Sequence, residues 1–265
     1  MAASPAVNIA TPRASSTARR VALLRFAIVA VLLMGWEALS ASGLLYRDVV
    51  PSLAAIGRAL GRVLGSADFY GNLGATAAEV GLALAIGGVC GLAVGILLGA
   101  NRFLSDAYES LIYYLGPTPK IIFFPVMIMW FGVGPESKIA MGTLSCFFPI
   151  VLSVASGMRM IEGVLIRVGR SFRLNTWQMV TKIYLPAMRE PIVNGVRLGM
   201  GVAMIGTLLA ETKLSNKGIG FLIINAYSTF DMPRMYAMLI VLFVLAIGAN
   251  ALVGRLGGLE DIKRT

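Results

Sequence analysis

Few residues in this chain have the type and spacing needed to make or break a bond. There is no histidine, which removes the commonest general base and metal ligand. Cys90 and Cys146 both fall inside apolar runs, where a cysteine behaves as a small packing residue, and they stand too far apart for a local metal-binding pair. No nucleophile–base set, no paired carboxylates and no phosphate-cradling G-x-x-x-x-G-K-[ST] occur. What remains is binding chemistry. From Met158 to Pro191, Arg159, Arg167, Arg170, Arg173, Lys182 and Arg189 stand against only Glu162 and Glu190. Leu165, Val168, Phe172, Trp177, Val180 and Ile183 separate these charges at near-helical spacing. Cations interleaved with apolar groups make a docking surface; the plainer account is a loop that only satisfies the positive-inside rule. A second feature is Lys120, a lone cation among Pro117, Pro119 and Pro125 within an apolar run.

The elements that hold these residues are set by composition. The chain has 265 residues, 57% hydrophobic and 14% charged, with a mean hydropathy of +0.80. A soluble domain carries about 25% charged residues, so the surplus apolar surface faces lipid. The net charge of +10 flanks apolar runs rather than forming a patch, which fits anionic headgroups and membrane orientation and argues against nucleic acid.

An all-α integral membrane protein follows, with spans expected at about 22–45, 73–101, 107–133, 138–158, 191–211 and 234–254. Residues 1–20 read as a disordered cytosolic tail, and 259–265 as a cytosolic tail. Arg13, Arg19, Arg20 and Arg25 put the start of the first span in the cytosol, and six crossings return the C-terminus there. Between the first two spans, Leu53, Ile56, Leu60, Val63 and Leu64 form the stripe of an amphipathic helix expected along the outer interface. Gly87, Gly91, Gly95 and Gly99 recur every fourth residue, and Gly195 and Gly199 share a face in the fifth span. Small residues so placed let neighbouring helices approach closely where lipid supplies no drive to pack. The prolines of the third span free backbone groups that only protein or a water-filled cavity can satisfy. The 158–191 loop, between spans four and five, lies in the cytosol.

Six spans with a long cytosolic loop after the fourth resemble the membrane permeases of type I ABC importers, in particular the nitrate, sulfonate, taurine and bicarbonate group. That family's loop carries E-A-A, three residues, Gly, nine residues, then I-x-L-P. Ile183-Tyr184-Leu185-Pro186 matches its end; Arg173 falls at the Gly, and Arg167-Val168-Gly169 at E-A-A. PTPKIIFFPVMIMWFGVG (117–134), RSF (170–172), GVRLGMG (195–201), LLAE (208–211) and GIGFLI (218–223) also look like this group.

The resemblance implies that the loop is a coupling helix over about Val168 to Trp177, docked on a cytosolic ABC ATPase that uses ATP and Mg²⁺, while this chain binds no cofactor. Arg167, Val168, Gly169, Arg170, Ser171, Phe172, Arg173, Leu174, Trp177, Ile183, Leu185 and Pro186 would form the coupling segment. Phe172 and Leu174 would be its apolar contacts, Arg170 and Arg173 its polar ones. A second permease copy, an external binding protein and the bacterial inner membrane are implied with it. Pro119, Lys120, Pro125, Met129, Met204 and Glu211 are candidates for the path, and Lys120 would suit a small anion such as a sulfonate, nitrate or carboxylate. Lys120 has a second reading, in which it snorkels or neutralises an acid such as Glu109. Arg197 is expected at the cytosolic interface near Glu190, and Glu211 has a structural reading at the outer end of its span. A secondary transporter would use the same broken spans without an ATPase, but gives no account of a basic loop ending in I-x-L-P.

Overall fold

In the computed structural model residues 14–44 and 49–256 are described, and regular structure among them is helical. The expected tail at 259–265 and residues 1–13 lie outside them. The chain divides into two compact units, Met1–Arg58 and Ala59–Thr265.

In the first unit α1 (Ala14–Ser42) begins inside the stretch expected to be disordered. No Gly or Pro occurs from Ala14 to Met34, so nothing there stops the helix extending toward its basic end. Its apolar part, Arg19–Ser42, is long enough to cross a bilayer. Glu37 interrupts that run for a reason: its Oε2 accepts the Leu53 N–H at 2.9 Å, at the first turn of α2 (Leu53–Leu64). A carboxylate there complements the helix N-terminus. Trp36 Nε1 donates to the Pro51 carbonyl at 3.0 Å and Ser40 Oγ to that of Val50 at 2.9 Å.

In the second unit α3 (Ala67–Ala100), α6 (Pro135–Arg159) and α10 (Arg189–Lys213) form the centre. A Cβ at Gly91 would stand 2.9 Å from Ile150 Cγ2, and one at Gly95 2.6 Å from Val154 Cβ and 2.9 Å from the Val151 carbonyl oxygen. Gly87 abuts Cys146 and Gly99 abuts Met158. Glycine and partner numbers rise together, so α3 and α6 run parallel. On the other side of α6, Gly195 meets Ser153 and Ile150, Gly199 meets Ile150 and Gly206 meets Ser145; there the numbers run oppositely and α10 is antiparallel. Ile150, 1% exposed, is thereby held between a glycine of each neighbour.

Parallel α3 and α6 require the chain to return between them. It does so through α4 (Arg102–Leu115), a 3₁₀ turn at Lys120–Phe123 and α5 (Phe124–Phe131). These two limbs are bent by 93°. Among the described residues, five continuous helices are long and apolar enough to cross a bilayer, and this bent pair, taken as one span, brings the crossings to six, with α12 (Met232–Leu256) the last. The ten-residue α11 (Ile219–Ser228) is about 15 Å long and cannot add another.

The core lies at two depths. Cys146, Ile150, Val154, Met158, Met188 and Ala203 fill the end nearer the 158–191 loop; Val63, Phe69, Ile219, Leu222, Met238 and Val241 fill the opposite end. Val63 of α2 thus faces protein rather than a lipid interface, and Leu64, expected on the same stripe, is 44% exposed. The stripe is narrower than expected because Ala59, a small residue, takes the buried position between Ile56 and Val63.

Candidate functional site

The basic loop folds into three short helices and a π turn. α7 (Gly163–Ser171) ends in a Schellman turn: Leu174 N–H bonds the Gly169 carbonyl at 3.1 Å and Arg173 N–H that of Arg170 at 2.9 Å. Arg173 has φ +50°, the left-handed conformation that glycine adopts without cost and an L side chain does not. The backbone thus keeps the geometry for which a glycine would be the natural choice, and this chain fills it with arginine. Asn175 and Gln178 then form a reciprocal capping box that starts α8 (Thr176–Met179). The expected single coupling helix from Val168 to Trp177 is accordingly corrected: the left-handed residue ends one helix and the capping box begins the next.

Arg167, Val168, Gly169, Arg170 and Ser171 lie in α7, Phe172 caps it and Trp177 lies in α8. Gly169 is buried where α7 crosses the following segment; a Cβ there would stand 2.5 Å from Met179 Sδ and 3.4 Å from Ile183 Cγ1. That crossing demands a small residue at the position the resemblance gives to alanine. Ile183 falls in the π turn Val180–Tyr184, which leads into α9 (Leu185–Ala187) with Pro186 in its first turn, where a missing N–H costs least. Phe172 and Trp177 are 77% and 74% exposed, and Arg167, Arg170 and Arg173 on the same segment are exposed too. Leu174, expected as a free apolar contact, is half-buried.

Lys120 follows the break in the third span, preceded by Pro119 at the N-terminus of the 3₁₀ turn. Its ammonium donates to the carbonyls of Gly116 and Thr118, the latter at 3.3 Å, and lies 5.0 Å above the Phe148 ring. It therefore supplies partners to carbonyls freed by the proline break. Glu109 is bound instead by Arg159, in a two-pronged pair whose Nη2–Oε1 arm is 2.6 Å, with Ser105 Oγ donating to Oε2 at 2.6 Å. Pro125 sits in the first turn of α5 and Met129, on the same helix, is 82% exposed. Met204 lines a cavity of about 750 Å³ between α10 and α12, at whose other end Arg197 Nε donates to Asn250 Oδ1 at 3.2 Å. Arg197 thus turns to α12 rather than to Glu190, because Gly254 leaves space against its guanidinium. The structure does not bring Lys120, Met204 and Glu211 to one place.

Glu211 is fully buried at the end of the bundle opposite the loop. Its Oε1 accepts from Thr76 Oγ1 at 2.7 Å and its Oε2 from the Gly220 N–H at 2.6 Å. Thr76 Oγ1 accepts from Ile219 N–H and Asn72 Oδ1 from Gly218 N–H, both at 2.8 Å. Three amides around the N-terminus of α11 are therefore satisfied by side chains of α3 and α10, which pins that helix across the bundle. Gly218, at φ +106°, and Gly220 allow the approach: a Cβ on Gly220 would stand 2.7 Å from the Leu208 carbonyl oxygen. Lys138 Nζ lies 3.9 Å from Glu79 Oε1, with both side chains buried, and donates to the Val133 and Gly134 carbonyls.

Sequence reasoning did not single out Asn72, Thr76, Glu79 or Lys138. The signal was present: Glu79, Lys138 and Glu211 each stand near the same end of one of three apolar runs, so parity of direction puts them at one depth with complementary charge.

A family model described as binding-protein-dependent transport system inner membrane component matches residues 87–258. The chain is 27% identical over 216 residues to a putative aliphatic sulfonates transport permease protein of Bacillus subtilis (strain 168), covering 82% of this chain and 78% of the relative. It is 29% identical over 194 residues to the taurine transport system permease protein of Escherichia coli (strain K12), covering 72% and 70%. Among solved structures, the inward-facing conformations of a methionine ABC transporter align with a TM-score of 0.62 at 21% identity, covering 69% of this chain and 91% of that one, which is a likeness of fold. With the family match running from the first glycine of the seam through the last crossing, this chain belongs to the binding-protein-dependent inner membrane components, as a permease of the type I ABC importers.

Proposed function

We propose that this chain forms, with a second copy of itself, the path of an ATP-driven importer in a bacterial inner membrane. The solute is a small organic anion of the sulfonate kind, brought by an external binding protein. The observation that carries the reading is the tip of the 158–191 loop, where Phe172 and Trp177 are exposed on the same short segment as exposed Arg167, Arg170 and Arg173. An apolar anchor on a cationic segment suits a groove on a cytosolic ATPase, and the cations call for acidic residues on that partner. ATP and Mg²⁺ are bound by the ATPase. Its closure acts on the permease only through contacts that differ between the two states of the path, and the loop supplies those contacts. The sulfonate class is supported by the relatives named for aliphatic sulfonates and taurine.

The test is copurification from native membranes at low and high salt. The wild-type chain brings down a separate ATPase. Arg173→Glu weakens the complex in low salt, and Arg173→Gly, which suits the backbone but removes the charge, weakens it less. Full assembly by Arg173→Glu removes the acidic groove from the reading. Sulfonate uptake that survives ATP depletion removes the importer.

A further inference from the structure

Lys213 is the last residue of α10, two positions beyond the buried Glu211 and at the end of the bundle opposite the ATPase-facing loop. It lies on the border of two cavities. One, of about 680 Å³, is mixed: Ser215, Asn216 and Asn225 line it with Lys213, beside Val133, Phe221 and Ile224. The other, of about 500 Å³, is apolar and is walled by Ile121, Phe124, Pro125 and Ile128 of the broken span. Leu214 joins Lys213 in lining both.

The electrostatics favour an anion at this border. Glu211 also lines the mixed cavity, but its oxygens are held by Thr76 and the Gly220 amide. Glu136, in the first turn of α6, has its carboxylate against Gly134 at the cavity's rim, where the helix N-terminus balances it. Lys217 adds a second exposed cation on the same connection. Among the described residues Lys213 has no ion-pair partner, whereas Lys120 and Lys138 spend their ammonium groups on carbonyls. Ser215 Oγ donates to the Lys217 carbonyl at 2.5 Å, which leaves the Lys213 ammonium and the Asn216 and Asn225 amides to meet a three-oxygen headgroup, and the adjoining wall matches a hydrocarbon tail.

We propose that Lys213 is the headgroup subsite of an external vestibule that takes n-alkanesulfonates, with the alkyl chain laid against Ile121, Phe124 and Ile128. The proposal rests on the importer reading and narrows its substrate class. It separates two solutes that share a headgroup. Propanesulfonate and taurine have nearly the same shape, but taurine would bring an ammonium into the apolar wall and near Lys213, where burying an unpaired charge is costly.

The test uses the full-length chain in lipid nanodiscs, with saturation-transfer NMR and competition against propanesulfonate, pentanesulfonate, taurine and 1-pentanol. Empty nanodiscs correct for partitioning. Affinity is expected to rise about fourfold per added methylene, with taurine at least tenfold weaker than propanesulfonate. Lys213→Met loses at least tenfold, Lys213→Arg restores most of it, and Lys217→Met changes little. Equal binding by Lys213→Met, by taurine or by 1-pentanol overturns the site. The importer reading fails separately. If proteoliposomes of the complete transporter show no ATP-dependent uptake while the nanodisc binding persists, the site stands and the importer does not. If uptake is intact in Lys213→Met, the site falls and the importer remains.

Discussion

Arg173 occupies a left-handed turn with φ +50°, and glycine at that position would relieve about 1 kcal/mol of backbone strain. Arg173→Gly is therefore expected to raise the unfolding temperature of the isolated chain by scanning fluorimetry, even as it lowers affinity for the ATPase. No rise would mean that the arginine side chain gains as much from its surroundings as its backbone loses. Lys138 presents the opposite case. It is 3% exposed beside Glu79 and near the buried Glu211. Lys138→Met leaves the acids without their cation and is expected to cost about 3–5 kcal/mol, while Glu79→Gln/Lys138→Met recovers a large part. A double variant no better than the single would place the cost in the lost carbonyl contacts. At this scale the sequence was informative about types and poor about partners. Lys120 was visible as an intramembrane cation, but whether it met an acid, a carbonyl or open space depended on how Pro117 and Pro119 redirected the chain.

The seam between α3 and α6 is the element on which the rest is hung. Gly95→Val brings a branched side chain to within 2.6 Å of the Val154 Cβ and 2.9 Å of a backbone carbonyl. It is expected to cost about 3 kcal/mol or more, since the backbone must move. Gly88→Ala, on the same helix with open space around the added carbon, is expected to be neutral or slightly stabilising. Similar losses from both would detach the effect from the seam. The four-residue recurrence of glycine was enough to identify one close-packed face, because helical geometry alone fixes which positions share it. It did not name the partner, and it could not say that α6 is clasped on both sides. The basic loop was legible in its boundaries and its charge. Its division into α7 and α8 was not, because a left-handed arginine carries no signal that separates it from a helical one.

At the scale of the molecule, the direction of α6 relative to α3 decides that the bent pair counts as one crossing. Ser171 and Ser215 lie on opposite sides of the membrane because the single crossing α10 stands between them. With Cys90 and Cys146 replaced by alanine, Ser171→Cys is expected to react with a membrane-impermeant maleimide only in inside-out vesicles, and Ser215→Cys only in right-side-out ones. Labelling of both from one side would reduce the crossings between them to an even number, against the single α10 that now joins them.

Composition and periodicity alone determined a helical membrane protein, its apolar segments, its small-residue faces and a basic loop presented on one side, since each follows from local geometry and from the cost of charge in lipid. Only the tertiary structure decided what meets across those segments. The reason is physical: burial of Glu79, Lys138 and Glu211 at one depth, and the pinning of α11 by Asn72, Thr76 and Glu211, arise between residues up to 146 positions apart. No local propensity encodes such contacts; the closure of the glycine seams sets them.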